Sequence, residues 1–172
     1  NSYLEEVGGR LYIIPTPIGN LEDMTFRAVR LLKEVDLIAA EDTRHTQKLL
    51  NPFEISNETI SYHEHNRQER IPYLLEQLAA GKQMALVSDA GTPAISDPGY
   101  ELVKAAIDDH YSVIVLPGAS AAITALVGSG LSTEEFVFVG FLPRKKRDKE
   151  ATLERLRSHR ATIILYESPH RV

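Results

Sequence analysis

Glu41-Asp42-Thr43-Arg44 sets two adjacent carboxylates beside a guanidinium, directly after the apolar run Leu37-Ile38-Ala39-Ala40. Such a group either forms a salt-bridge cluster or holds a base next to a cation. The alternative is structural: a helix cap with acidic residues at its start. A second polar stretch, Ser88-Asp89-Ala90-Gly91-Thr92-Pro93-Ala94-Ile95-Ser96-Asp97-Pro98-Gly99, follows the apolar run Met84–Val87. It is longer and richer in Gly, Pro, Ser, Thr and Asp than a turn requires, and it reads as a loop built to hold a ligand. Asp89 is placed to accept hydrogen bonds from an amine or a ribose, or else to cap its own loop. A third segment, Pro117-Gly118-Ala119-Ser120, opens a helix of small residues at Ala121. Free N–H groups at Ser120 and Ala121, with the positive end of the helix dipole, suit a carboxylate or a phosphate. His63-Glu64-His65 places two imidazoles at i, i+2, a spacing that shares one strand face, but no third ligand lies nearby in sequence. A solvated loop is the better reading there, and no metal site is expected.

Arg144-Lys145-Lys146-Arg147 with Lys149 is a compact basic run. Runs of this kind are commonly solvated or mark a helix start. Residues 1–143, however, carry ten Lys/Arg and twenty Asp/Glu, a net of −10, whereas residues 144–172 carry nine and four, a net of +5. A basic segment after an acidic body points to a polyanionic partner. No aromatics interleave with it to form a base-stacking platform.

These loops need strands to hold them. Leu11–Ile14, Asp36–Ala40, Thr59–Tyr62, Met84–Val87, Ser112–Leu116, Phe136–Val139 and Thr162–Tyr166 read as strands. Between them lie helical patterns: about Thr25–Glu34 with Thr25 as cap, His45–Leu50, Arg67–Ala80 ended by Gly81, Tyr100–Asp109, Ala121–Val127 and Asp148–Ser158. Strands alternating with helices predict an α/β fold, a mostly parallel sheet with helices on both faces. The unbroken apolar character of Leu11–Ile14, Leu37–Ala40 and Val113–Leu116 predicts strands buried on both sides. Pro15–Asn20, Ser88–Gly99 and Pro117–Ser120 then fall at one carboxyl edge, where ligands bind in such sheets. Gly140–Lys149 reads as a linker. The last strand lacks sheet neighbours, so two domains are expected: an N-terminal α/β domain over 1–140, and over 141–172 a linker with the start of a second α/β domain.

Composition narrows the classes. The 172 residues are 43% apolar and 25% charged, enough to bury a core. The absence of Cys excludes a disulfide framework and any Cys-ligated zinc or iron–sulfur centre. No apolar run approaches the roughly 18–20 residues of a membrane span. Asn1–Glu6 does not read as a secretory leader. Gly-x-Gly-x-x-Gly does not follow the first strand, and Gly-x-x-x-x-Gly-Lys-Ser/Thr does not occur, which argues against a dinucleotide fingerprint and a P-loop.

Taken in order, Leu11–Leu21, Ala40–Arg44, Val87–Gly99, Leu116–Ala121 and Tyr166–Arg171 resemble the ribosomal RNA small subunit methyltransferase I family of the tetrapyrrole methylase superfamily. The resemblance implies methyl transfer from S-adenosyl-L-methionine to the ribose 2′-hydroxyl of a cytidine in the decoding region of 16S rRNA. It implies two α/β domains with the cofactor in the cleft between them, a homodimer, 16S rRNA or the small ribosomal subunit as partner, no membrane, and a cytoplasmic setting. The cofactor positions it implies are Pro17, Ile18, Asp89, Ala90, Gly91, Thr92, Ser120, Ala121 and Tyr166. Glu41, Asp42 and Arg44, at a strand's carboxyl end, are the candidates to act near the acceptor, and Arg144, Lys145, Lys146, Arg147 and Lys149 to hold RNA phosphates. A methyltransferase for a small molecule such as a tetrapyrrole, or a non-catalytic RNA- or nucleotide-binding module, is the rival reading.

Overall fold

The computed structural model describes residues 8–172; the leader reading of Asn1–Glu6 lies outside them. The chain forms two compact units, one ending at Ser120 and the other spanning Ala121–Val172.

The first unit carries β1 (Arg10–Ile13), α1 (Phe26–Glu34), β2 (Leu37–Ala40), α2 (Thr43–Leu50), β3 (Thr59–Ser61), α3 (Arg67–Ala79), β4 (Gln83–Val87), α4 (Gly99–Asp108) and β5 (Ser112–Val115). Its five strands are all parallel, in the order β3-β2-β4-β1-β5. Side chains alternate across the sheet, as the two-residue strand period requires. Tyr12, Ile14, Ile38, Ala40, Ala85 and Val87 face one core with Ala28, Leu31 and Leu32 of α1 and Leu50 of α2. Leu11, Ile13, Leu37, Ala39, Met84 and Leu86 face the other with Leu74 and Leu78 of α3 and Leu102 and Ala106 of α4.

Chirality accounts for this division of helices. The chain moves from β1 through β2 to the β3 edge, then returns through β4 to β5 on the other side of β1. Right-handed crossovers in opposite directions must use opposite faces. Loops leaving β1 and β2 therefore run to one face, while the loop leaving β4, between them, runs to the other. Crevices open at the carboxyl ends on both sides of β4.

The sheet differs from expectation at one edge. Val113 and Ile114 are half-buried and Val115 is 58% exposed, so β5 is an edge strand, covered less than its apolar sequence predicts. Leu11–Ile13 and Leu37–Ala40 are buried on both faces as expected.

The second unit carries α5 (Ala121–Ser129), β6 (Phe136–Phe141), α6 (Lys146–Arg157) and β7 (Thr162–Tyr166), with β6 and β7 parallel. Sequence placed the domain boundary near Phe141; the compact units divide at Ser120 instead. The reason is packing: Ala122 and Leu126 of α5 bury against Ile164, with Tyr166 beside them. Gly140–Lys149 is likewise not an open linker, since Gly140 and Phe141 extend β6 and α6 begins at Lys146. Lys146, Arg147 and Lys149 of the basic run thus lie on the first turn of a helix, where Lys146 Nζ stands 4.0 Å from Glu150 Oε1. Among the described residues, no helix is long and apolar enough to cross a membrane.

One polar side chain fixes α1 to the β2–β3 connection. Asn57 Nδ2 donates to the carbonyls of Leu32 (2.7 Å), Lys33 (2.9 Å) and Val35 (2.8 Å), orphan acceptors at the helix end. Asn57→Ala leaves them without that partner and should destabilise the fold by roughly 1–3 kcal/mol. A thermal melt is expected to fall by about 2–4 °C for each kcal/mol lost; an unchanged melt would show that water satisfies these carbonyls equally well.

Candidate active site

Three loops meet at the carboxyl edge, held by backbone and small polar groups. Thr16 and Gly91 exchange two backbone hydrogen bonds, of 3.0 and 2.9 Å, between the loops after β1 and β4. The fully buried Thr16 also donates from Oγ1 to the Ser88 carbonyl at 3.3 Å. Thr92 Oγ1 donates to the Ala119 carbonyl at 2.9 Å, bringing in the loop after β5. Gly118 packs so closely that a Cβ there would stand 2.5 Å from Pro15 Cβ. Pro15–Asn20, Ser88–Gly99 and Pro117–Ser120 therefore do converge, as their positions in sequence predict.

The long loop after β4 contains left-handed residues without glycine's freedom: Ala94 at φ 71° and Ser96 at φ 58°. Such conformations cost on the order of 1–3 kcal/mol each and persist only when the surroundings impose them. Asp97 is the buttress, its Oδ1 accepting N–H bonds from Ala94 and Gly99, both at 2.8 Å. Burial nevertheless raises the Asp97 pKa, with these bonds pulling it down and Glu101 adding to the rise. Behind it the buried Tyr62 donates its hydroxyl to the Pro98 carbonyl at 2.5 Å, and burial pushes the phenol up to about 12.

A fourth loop joins from β2. Asp42 is the N-cap of α2, its Oδ1 accepting from the N–H groups of Arg44 (3.0 Å) and His45 (3.2 Å). The capping alternative therefore holds for Asp42, and Thr43 and Arg44 form the first helical turn. Asp42 N–H in turn donates to Asp89 Oδ1 at 3.3 Å, and His45 Nε2 lies 3.0 Å from the Asp89 carbonyl. A carbonyl only accepts, so Nε2 carries the hydrogen. Asp89 is thus stapled to both the cap and the first turn of α2.

Glu41, half-buried beside this staple, is the electrostatically unusual carboxylate. Burial raises its pKa first, and the neighbouring charges of Asp89, Asp97 and Asp42 raise it further, against a hydrogen bond from the Asp89 backbone. Three carboxylates thus act on Glu41 at this rim, a perturbation of the kind that clusters at functional sites. Arg44 is exposed, and its guanidinium makes no ion pair with them.

Sequence reasoning missed His45. Its position one turn into a helix carries no motif, and its bond to residue 89 spans 44 positions. His63 and His65 lie in a turn, where His63 Nδ1 accepts from His65 N–H at 3.2 Å. Among the described residues, no group of three or more His, Asp or Glu could hold a metal ion. Pro17 and Asp89 line a cavity of about 330 Å³. Ile18, 38% exposed, lies at the rim beside Gly91. Ala121, Tyr166 and the basic run belong to the second unit. There the Tyr166 ring meets Phe138 and Phe141 edge-on, with centroids 5.0 and 5.7 Å apart.

Known proteins share this pattern. The sequence profile of the tetrapyrrole (corrin/porphyrin) methylases matches residues 10–172. A Halalkalibacterium halodurans protein named ribosomal RNA small subunit methyltransferase I is 59% identical over 164 residues, covering 95% of this chain and 57% of its own length. A Synechocystis protein of the same name is 58% identical, covering 95% and 59%. The chain therefore spans under three fifths of the length of these curated relatives. A uroporphyrin-III C-methyltransferase from Thermus thermophilus, solved with S-adenosyl homocysteine, superposes with a TM-score of 0.63 at 24% identity, over 95% of this chain and 72% of that one. With its parallel sheet, its joined rim loops and this match over almost its whole length, the chain belongs to the tetrapyrrole methylase family.

Proposed function

We propose that the protein transfers a methyl group from S-adenosyl-L-methionine to the 2′-hydroxyl of a cytidine ribose in the decoding region of 16S rRNA. It acts as a cytoplasmic homodimer on the RNA, free or in the small ribosomal subunit. The observation that carries this reading is the 59% identity to a relative named for rRNA methylation. The joined rim loops are its physical counterpart.

The rim fits such a cofactor. Gly91, at φ +78°, has Ile18 Cγ2 and the Ala119 carbonyl 3.4 and 3.8 Å from where a Cβ would stand, so the wall there is backbone and small groups. Asp89 offers a carboxylate to an amine or ribose. Pro17, Ile18, Asp89, Ala90, Gly91, Thr92 and Ser120 hold the cofactor in this reading, and the family resemblance adds Ala121 and Tyr166 to them. When bound, it supplies an electrophilic methyl on sulfur.

The chain's own contribution lies at the acceptor. A ribose hydroxyl has a high pKa, so alignment and proton removal dominate the rate. Glu41 accepts that proton or orients the hydroxyl, since its raised pKa makes it a stronger base than an ordinary carboxylate. Asp42 positions the α2 turn, and Arg44 adds a cation near the acceptor. Arg144, Lys145, Lys146, Arg147 and Lys149 bind backbone phosphates.

Three measurements on the full-length protein test this. Label from methyl-labelled cofactor should appear in RNA of small ribosomal subunits. Label on a tetrapyrrole instead, or RNA binding without transfer, would favour the rival readings.

Glu41→Gln should slow turnover by about 10²–10⁴-fold with cofactor binding unchanged. It should also abolish the acid limb of the rate profile, where activity falls as pH drops through the raised pKa of Glu41. The same variant should melt higher at neutral pH. A carboxyl whose pKa is raised on folding is destabilising once ionised, and the gain should vanish in acid where Glu41 is protonated. Asp42→Asn keeps an equally good cap, so it should leave the melt unchanged and cost less turnover than Glu41→Gln. Equal turnover in Glu41→Gln and wild type would remove Glu41 from the chemistry.

Replacing the five basic residues with Ser should weaken RNA binding. It should also reduce the slope of log affinity against log salt by about 0.7–0.9 for each phosphate no longer neutralised. An unaltered slope rejects their role.

A further inference from the structure

The cavity of about 330 Å³ beside β4 begins at Pro17 and Asp89, which the cofactor reading uses, and runs on to Asn20, Leu21, Lys48 and Leu49, which it does not. Pro17 and Leu21 come from the loop after β1, and the exposed Lys48 and the partly buried Leu49 from α2, one turn beyond His45. Its position is the one chain topology sets aside for ligands, because the neighbouring loops leave the sheet toward opposite faces. Its size is at the lower end of small-molecule pockets, about 300–1,000 Å³.

The free polar groups around it are specific. Lys48 is exposed and makes no ion pair among the described residues, although its unit is strongly acidic. Asn20 Oδ1 is committed to Glu22 N–H at 3.0 Å, and its amide hydrogens have no partner among the described residues. His45 has given Nε2 to the Asp89 carbonyl, and its Nδ1 has no partner among the described residues. Leu21, Leu49 and Pro17 supply apolar surface between these groups. An apolar slot flanked by amide donors, an imidazole, the Asp89 carboxylate and an unpaired ammonium matches a flat heterocycle that carries both hydrogen-bond acceptors and a donor, with an attached phosphate.

We propose that this cavity seats a single unstacked pyrimidine nucleotide of the RNA substrate. Its base lies against Leu21 and Leu49, the Asn20 amide donates to the base edge, and Lys48 pairs with the adjoining phosphate. Sequence-selective RNA recognition works by splaying out single bases in this way. Lys48 and Asn20 are then specificity residues within the rRNA-methylation reading, on which this inference rests.

The test compares Lys48→Gln and Asn20→Ala with wild type in the full-length protein. The readouts are methyl transfer to small ribosomal subunits, titration calorimetry with S-adenosyl homocysteine, and thermal melts. Lys48→Gln should raise KM for the subunits about tenfold and reduce the salt slope of KM by close to one phosphate, about 0.7 for single-stranded RNA. Its kcat, cofactor affinity and melt should remain at wild-type values. Asn20→Ala should raise KM without changing the salt slope. If wild type methylates RNA and Lys48→Gln shows the wild-type KM and salt slope, the cavity is not the nucleotide seat, and the rRNA reading stands without it. If wild type transfers no methyl to RNA, the rRNA reading and this inference fall together.

Discussion

The rim depends on a pair of backbone hydrogen bonds. Thr16 and Gly91 each give and accept one, and these two bonds hold the loop after β1 against the loop after β4. Around them stand the buried Thr16 hydroxyl on the Ser88 carbonyl and the Thr92 hydroxyl on the Ala119 carbonyl. Hydrogen bonds of this kind contribute about 0.5–1.5 kcal/mol each. Their larger effect is geometric, because they bring three sheet-edge loops to one place with few conformations open to them. Pre-ordered loops lower the entropic cost of binding a ligand.

Asp89 extends the same order to a fourth loop. Its side chain receives the Asp42 N–H and its carbonyl receives the His45 ring, so the β4 loop is tied to the start of α2. This leaves Glu41 among Asp89, Asp97 and Asp42 with its pKa raised. The left-handed residues Ala94 and Ser96, held by Asp97, show the same trade of local stability for a fixed arrangement of groups.

Much of this was legible in the sequence because it follows local rules. Apolar runs such as Leu11–Ile14 and Leu37–Ala40 announced strands buried on two faces, and Thr25 announced the start of α1 through its bond to Ala28 N–H. Loop composition announced the rim. What escaped depends on distant partners. Val113–Val115 reads like a central strand but ends at the sheet edge, since an apolar run does not state how many neighbours it has. Gly140–Lys149 reads as a linker, yet β6 continues to Phe141 and α6 begins at Lys146, two residues before the expected start near Asp148. Ala121–Ser129 buries Ala122 and Leu126 against Ile164 and Tyr166, partners far along the chain that spacing does not reveal. His45 gained its significance from residue 89, which spacing cannot reveal.

The two sides of the rim are built from different materials. The Thr16–Gly91 join is main chain on both sides, so most side-chain exchanges around it leave it intact. The α2 side is defined by what His45, Lys48 and Leu49 happen to be. Mutational drift can rewrite the second without dismantling the first. A lineage built on such a plan can keep one way of gripping a donor while trying out new recipients, which is how one ancestral scaffold comes to serve chemically unrelated clients.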